Sequence, residues 1–363
     1  MEFLSCTPTV FVIENRYEIL LNSYEKGIFA IEIGNSLFYE DNSGVLSSQK
    51  TFAKISVPQK LLNEHKYYTV IFRKTIERKS YFSKMESPVY KKFEFKPIEK
   101  EDGLNIYHIS DVHYRYDLAL KTCSFFGDDL DLLVVNGDLS EFVKEKNYFK
   151  ASKFTGDISG GKIPVIFTRG NHDTRGEMAE NFTDYFPSLN NKTYFYFDLG
   201  GICGVVADCG EDKEDSHEEY GGTNAFHLYR HNQNKYFASL PKATKLCFAI
   251  SHICPSQTTQ NVGNCFDIER EIYSKWNANF NRIGVKFMLS GHMHKAYILQ
   301  KEDERCTITN PYPVIVGAQT TKEDIIGTAL TLNGDLLTVK FTNSNCEVVQ
   351  THLLNLQTGK LQN

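Results

Sequence analysis

The stretch Ser290-Gly291-His292-Met293-His294 decides the fold, because two imidazoles follow directly on the apolar run 284–289. A run of this length with glycines at its ends predicts a buried strand that gives way to a loop. In an extended segment, residues two apart point to the same side, and Gly291 allows the backbone to turn tightly beside them. We therefore predict that one site can receive both histidines.

Four other strand-like runs end in the same kind of polar residue. The runs are 105–110, 131–136, 163–169 and 245–251. The residues that follow them are Asp111 with His113, then Asp138, then Gly170-Asn171-His172-Asp173, and finally His252. Helix-like segments alternate with these runs, at 118–126, 147–154, 174–182, 227–240 and 267–279. This alternation predicts an α/β layered core, in which ligands bind at the carboxyl ends of the strands.

Each motif taken alone has a structural explanation. Asp111 or Asp138 could cap a following helix, Gly170-Asn171 could be a turn, and His252 could be a buried core histidine. Together they are harder to explain, since carboxylates and imidazoles crowded at one sheet edge would repel or stay unsatisfied without a cation. Nitrogen and oxygen ligands without thiolate suit Mn, Fe or Zn, and the sequence does not choose among them.

The ordered set of motifs, over residues 104–295, resembles the calcineurin-like metallophosphoesterase superfamily. It is similar in particular to the branch with Asp-x-His as its first motif, which includes class III cyclic-nucleotide phosphodiesterases. The resemblance implies a four-layer α/β/β/α core that hydrolyses a small phosphomonoester or phosphodiester with water activated by two divalent metal ions. Asp111, His113 and His294 would hold one ion, Asn171, His252 and His292 the other, and Asp138 would bridge them.

The same resemblance gives roles to residues beside the ligands. His172 would protonate the leaving oxygen or stabilise charge on the phosphoryl group, and Asp173 would orient its ring. Arg169 is a candidate phosphate contact, because a guanidinium matches phosphate oxygens bidentately, although an arginine at a strand end is as often a surface charge.

Residues 1–98 predict a separate all-β domain. The runs 28–33, 51–57, 68–73 and 90–95 are short and rich in β-branched or aromatic residues, which favours a β-sandwich of about 100 residues. Leu62 and Tyr68 resemble the tyrosine corner of fibronectin type III domains. A polar linker at 97–103 would lead into the catalytic domain, 99–363. This layout resembles plant-type purple acid phosphatases, but His113 and Glu141 replace their glycine and iron-binding tyrosine, so we do not predict a purple iron-tyrosinate centre.

We also make predictions for three further parts of the chain. The loop 209–222 has six acidic residues and one lysine, and we favour a mobile solvated loop over a lid. An insertion at 253–282 is expected to contribute to the substrate pocket. The runs 312–316, 326–332, 336–341 and 348–353 predict antiparallel strands that complete the second sheet of the core.

Composition limits the remaining function classes. The 363 residues carry a formal net charge of -5, and no apolar run is long enough to span a bilayer, so we expect a cytoplasmic protein with neither a membrane nor nucleic acid as partner. Nine cysteines without paired spacing predict free thiols. The alternatives are a nuclease of the same superfamily and a non-catalytic scaffold like the retromer subunit with this fold. A protein partner of the N-terminal domain also stays open.

Overall fold

A computed structural model of the protein describes residues 2–40, 43–100, 102–256 and 263–362. Its strands are β1 Thr9–Ile13, β2 Arg16–Ile33, β3 Ser36–Phe38, β4 Lys50–Pro58, β5 Tyr67–Glu77, β6 Lys84–Met85, β7 Val89–Glu94, β8 Leu104–Ile109, β9 Leu132–Asn136, β10 Pro164–Thr168, β11 Phe195–Leu199, β12 Ile202–Ala207, β13 Leu246–Ser251, β14 Val285–Ser290, β15 Tyr297–Leu299, β16 Val314–Val316, β17 Gln319–Thr320, β18 Ile325–Asn333, β19 Leu336–Thr342, β20 Val348–Asn355 and β21 Lys360–Gln362. Its helices are α1 Gln59–His65, α2 Tyr116–Cys123, α3 Glu145–Ser159, α4 Phe182–Tyr185, α5 Phe226–Ser239 and α6 Arg270–Ile283. The predicted linker 97–103 and insertion 253–282 lie partly outside the described residues.

Two sheets face each other at the centre of the molecule. The larger sheet has the order β21-β20-β19-β18-β8-β9-β10-β1-β2-β5-β6, and the smaller has the order β11-β12-β13-β14-β16-β15. Strands β8, β9 and β10 are parallel neighbours in the first sheet, as are β12, β13 and β14 in the second. All five strands predicted to carry site residues are present, with ends within one residue of those predicted.

Alternation of side chains along these strands explains the layers. In β9, Leu132 and Val134 belong to the core between the sheets, whereas Leu133 and Val135 pack under α2 and α3. The outer face of the second sheet packs in the same way against α5 and α6, with Trp276 at its centre. The result is the predicted α/β/β/α order of four layers.

The C-terminal strands correct one expectation. Only β16 joins the second sheet, parallel to β14, whereas β18 pairs antiparallel with β8 and starts a meander that extends the first sheet. The strands themselves were predicted because their periodicity is local. Their sheet was not, since it depends on pairing with residues more than 200 positions earlier in the chain.

The N-terminal strands, between residues 9 and 94, are consistent with a sandwich. The 18-residue strand β2 pairs with β1 and β4 along its first half and with β3 and β5 along its second. Strand β1, which the sequence analysis missed, pairs parallel with β10, so the first sheet continues across the predicted boundary at residue 98. Tyr68 does not form the predicted tyrosine corner, because its hydroxyl donates to Gly161 O on the other side of that boundary, 2.9 Å away.

One predicted helix, 174–182, is wrong. Two single turns of 3-10 helix, His172–Thr174 and Ala179–Asn181, and the four-residue α4 take its place. Gly176 interrupts the segment with a φ of 103°, at a point where a β-carbon would collide with the backbone of Val143. None of the helices in the described ranges is long and apolar enough to cross a membrane.

Candidate metal centre

The predicted ligands converge where the two sheets present the carboxyl ends of their strands. Asp111 follows β8, Asp138 follows β9, Asn171 follows β10, His252 follows β13, and His292 with His294 follows β14. Main-chain hydrogen bonds join these ends, from Asp111 N to Gly137 O at 3.2 Å and from Gly291 N to His252 O at 2.9 Å. The ends of five strands therefore form one rigid rim.

The backbone at this rim is unusual. Asp111, His113, Asp138, His292 and His294 all have φ between 44° and 68°, the left-handed region that residues with a β-carbon rarely adopt. Such strain concentrates where function requires a side chain to point in one direction. His292 and His294 therefore reach the centre from a turn and not from an extended segment, and within that one centre His294 joins Asp111 and His113 whereas His292 joins Asp138 and His252.

The first cluster consists of Asp111, His113 and His294, whose ligand atoms lie within 4.8 Å of one another. His113 Nε2 faces His294 Nε2 at 3.2 Å, and Asp111 Oδ1 lies 3.5 Å from His294 Nε2. Ser110 Oγ donates to Asp111 Oδ2 at 2.5 Å, and the main-chain N–H of His292 donates to the same carboxylate. The Nε2 atoms of the two imidazoles and one carboxylate oxygen are thus directed at a single position.

The second cluster consists of Asp138, His252 and His292. His252 Nδ1 donates to Asn136 O at 2.6 Å, which aims Nε2 at Asp138 Oδ2, 3.1 Å away. Asp138 also belongs to a third group, with His113 and His172, and therefore lies between the two predicted ion positions.

Asn171 places its side-chain amide against the second cluster. Its side-chain oxygen lies 3.1 Å from His292 Nδ1 and 3.3 Å from both His252 Nε2 and Asp138 Oδ2, and the last of these atoms is an acceptor. Oxygen facing acceptors is unfavourable in a buried site unless a cation lies among them. In the rotated orientation the amide nitrogen faces the same atoms and the amide oxygen accepts from Arg175 Nη2 at 3.2 Å. The donor set fits a divalent ion with the oxygen inward.

The electrostatics of the centre are those of a site built around positive charge. Asp138 is 1% exposed, and although burial acts in the opposite direction, the neighbouring imidazoles of His252 and His172 hold its pKa well below the usual range. Burial would lower the pKa of His252, but the carboxylates of Asp138 and Asp111 raise it to about 10. Burial lowers the pKa of His292 to about 4. The negative charge of Asp138 is therefore stabilised by positive charge beside it.

His172 lies at the edge of the centre with its side chain 22% exposed. Its Nδ1 donates to Glu141 O at 2.9 Å, and its Nε2 faces Asp138 Oδ2 at 3.9 Å. The expectation that Asp173 orients this ring is wrong, because Asp173 Oδ2 accepts from the main-chain N–H of Gly170 and of Asp138. Burial, followed by the charge of Asp138, raises the pKa of Asp173 to about 7. Asp173 therefore holds the main chain at Gly170 and Asp138 in place, whereas the carbonyl of Glu141 orients the imidazole ring of His172.

Two arginines follow β10, and the structure distinguishes them. The side chain of Arg169 is 14% exposed, its Nε donates to Asp208 Oδ2 at 2.8 Å, and its guanidinium lies near three aromatic rings, which favours a structural role over the predicted phosphate contact. Arg175, which the sequence analysis did not single out, has Nη1 3.5 Å from His172 Nε2. The buried carboxylate of Glu211 binds Arg175 through Nε and Nη2, both at 2.7 Å. No sequence pattern marks Arg175, because its position depends on a loop 36 residues later.

The sequence profile of calcineurin-like phosphoesterases matches residues 104–296, more than half of the 363-residue chain. The protein belongs to the calcineurin-like phosphoesterases. As a member of this family it is a phosphoric ester hydrolase that requires metal ions. No curated protein matches the chain.

Solved structures support the fold of this phosphoesterase. Purple acid phosphatase PPD1 from yellow lupin (Lupinus luteus) seeds is similar, with a TM-score of 0.61 and 12% identity over 96% of this chain and 74% of that one. PhoD is also similar, with a TM-score of 0.60 and 9% identity over 98% of this chain and 90% of that one. Both matches include the N-terminal strands as well as the layered core.

A pocket adjoins the metal centre of this phosphoesterase on the side of His292. Its lining is largely apolar and aromatic with one carboxylate, and includes Asp212, Ile253, Phe266, Tyr273, Met293 and Tyr297. Asp212 comes from the loop 209–222, for which we favoured a mobile solvated loop, and Phe266 comes from the insertion 253–282, which was expected to contribute to the substrate pocket. The loop 209–222 is anchored here, because Arg230 donates to the carbonyls of Cys209 and Glu211.

Proposed function

We propose that the protein hydrolyses a small phosphomonoester or phosphodiester at a centre of two divalent metal ions. The observation that carries the proposal is the pair of three-residue clusters at the strand ends, of which Asp138 belongs to the second and also groups with His113 of the first. Asp111, His113 and His294 would hold one ion, and Asn171, His252 and His292 the other. Mn, Fe and Zn all suit this donor set.

The ions would supply positive charge to the phosphoryl oxygens and lower the pKa of a water molecule to near neutrality. The residues of the chain do the rest. Glu141 O holds the Nδ1 proton of His172, so Nε2 is the nitrogen that protonates the leaving oxygen. Arg175 presents Nη1 on the same side as His172 Nε2 and stabilises the charge that develops on the phosphoryl group. Asp173 keeps Asp138 in place through its main-chain N–H.

The pocket beside His292 supports a leaving group of limited size and low negative charge. Its aromatic and aliphatic lining favours an apolar or aryl group, whereas the carboxylate of Asp212 repels a second phosphate. A nuclease is therefore the less favoured candidate, and the formal net charge of -5 argues in the same direction. The scaffold alternative is disfavoured because every predicted ligand lies in the centre.

Hydrolysis of p-nitrophenyl phosphate and of bis(p-nitrophenyl) phosphate tests the proposal. Metal-stripped protein would be assayed alone and after addition of Mn, Fe(II) or Zn, with an oligonucleotide as a third substrate. We expect turnover only with metal, and a loss of at least about 1,000-fold in kcat for Asp138→Asn, because the bridging charge is removed. The ratio of monoester to diester turnover then directs the search for the substrate.

Two outcomes would overturn the proposal. Activity of Asp138→Asn equal to that of the wild type would exclude Asp138 as a bridging ligand. Absence of turnover on all three substrates, with two ions bound per chain, would favour the scaffold alternative. Oligonucleotide cleavage that falls steeply with salt would replace the small substrate with nucleic acid.

A further inference from the structure

A second set of metal-binding side chains shares no residue with the catalytic centre. It consists of His227 and His231 on α5 and Glu269, which immediately precedes α6. One ligand atom from each of the three lies within 4.8 Å of the other two. His227 Nδ1 is 2.8 Å from Glu269 Oε1, and the two imidazole rings have centroids 4.5 Å apart.

The spacing of these residues is suited to one ion. Residues four apart on a helix lie on the same face, one turn above the other, so His227 and His231 project together. Two imidazoles and one carboxylate form a donor set typical of Zn²⁺, with a fourth position left to water. We propose that His227, His231 and Glu269 form a third divalent-metal site, which prefers zinc and which is separate from the catalytic centre.

Glu269 is positioned for this role before any ion binds. Its side chain is 6% exposed, and its backbone adopts a φ of 53°, which a glutamate rarely does. Arg230 Nη1 donates to Glu269 Oε1 at 3.2 Å, which fixes the carboxylate against α5. An arginine or carboxylate partner behind a metal ligand commonly orients it, and here it leaves the second carboxylate oxygen free to turn toward an ion.

A simple ion pair does not explain the whole cluster. Glu269 already has two partners, His227 and Arg230, yet His231 lies within reach of both ligand atoms and makes no hydrogen bond to any residue in the described ranges. A second imidazole beside a satisfied pair contributes nothing to the pair itself. It completes the minimum set of ligands that an ion requires.

The charges around the cluster are of both signs. The positive end of the α5 dipole would oppose one, but Asp215 accepts hydrogen bonds from the main-chain N–H of Phe226 and of His227, both at 2.9 Å. Arg230 is the nearest positive charge, and its Nε and Nη2 are engaged by the carbonyls of Cys209 and Glu211. A bound ion would therefore connect α5, α6 and the loop 209–222.

Zinc counting on the full chain tests this site. Wild type, His231→Gln and the control His352→Gln, which changes a histidine on β20, would be loaded with zinc, equilibrated at nanomolar free zinc, and analysed for zinc per chain. We expect wild type and control to retain one zinc more than His231→Gln. Cobalt substitution would show the same difference of one ion in the visible spectrum. Hydrolysis of p-nitrophenyl phosphate should change less than about twofold.

Equal zinc content in wild type and His231→Gln would overturn the proposal and leave an ion pair of His227 with Glu269. A difference that appears only at millimolar zinc would mean an adventitious ion, with the same conclusion. Should His231→Gln fail to fold, His227→Gln serves in its place. Because the comparison counts a difference of one ion, its result does not depend on whether the catalytic centre binds two.

Discussion

At the scale of single residues, the centre is held by side chains whose partners come from distant parts of the chain. His172 depends on Glu141, and Arg175 depends on Glu211, which is 1% exposed. A buried carboxylate needs a cationic partner, because unpaired burial of its charge is costly. The guanidinium of Arg175 thus compensates Glu211 with Nε and Nη2 and leaves Nη1 toward His172.

A comparison of the two arginines tests this division of roles. Arg175→Lys keeps a positive charge for Glu211 but loses the planar fork, so we expect kcat/KM for p-nitrophenyl phosphate to fall about 10- to 100-fold, the equivalent of one charged hydrogen bond. Arg169→Lys should instead lower the Tm, because it disturbs the buried pair with Asp208, and leave kcat/KM nearly unchanged. If instead Arg169→Lys lowers kcat/KM and Arg175→Lys lowers only the Tm, Arg169 is the residue that contacts the phosphate.

At the scale of elements, the sequence predicted the strand ends well and the loops poorly. The run 131–136 and the observed β9, Leu132–Asn136, agree because a buried strand in a parallel sheet is a continuous apolar run ended by a polar residue. Strand β1 is equally apolar, and all five of its residues are buried. Its apolar run is a local signal that was overlooked, whereas its pairing with β10, about 150 residues later, lies beyond any local pattern. The ring of His172 was given the wrong partner for the same reason, since Glu141 O reaches it from another loop.

The loop 209–222 shows how an element can be anchored by a few contacts. We favoured a mobile solvated loop, yet Glu211 is buried against Arg175 and the carboxylate of Asp215 caps the N-terminus of α5. Acidic side chains at a helix N-terminus satisfy N–H groups that have no partner within the helix. Charge alone therefore did not reveal that these residues bind the loop to the molecule.

Removal of the cap measures that anchoring. Asp215→Ala should destabilise the protein by about 0.5–2 kcal/mol, the usual cost of losing an N-cap side chain, and lower the Tm by a few degrees. Glu214→Ala, at the exposed neighbouring position, is the matched control and should leave the Tm unchanged. Equal Tm values for both variants, measured by thermal denaturation of the metal-loaded protein, would mean that the loop is not held through Asp215.

At the scale of the whole molecule, the N-terminal strands and the layered core share one hydrophobic interior. The core between the sheets includes Tyr17 and Ile55 from the N-terminal strands together with Leu132 and Phe248 from the catalytic layers. Lys54 on β4 donates to the carbonyl of Phe186, and Glu14 N donates to Tyr196 O. A boundary at residue 98 stays a prediction, but these contacts couple the two sides of it.

Calorimetry decides whether that coupling makes one cooperative unit. Because β1 is hydrogen-bonded between β2 and β10, unfolding of the N-terminal strands would expose an edge of the core sheet and its buried faces. We therefore expect a single transition for the full chain, with equal calorimetric and van't Hoff enthalpies. Tyr68→Phe, which removes the hydrogen bond to Gly161 O, should lower that single Tm by the equivalent of about 0.5–1.5 kcal/mol without splitting the transition. Two transitions, of which Tyr68→Phe shifts only one, would instead establish residues 1–98 as an independent domain, since an internal bond of a single unit cannot destabilise one half alone.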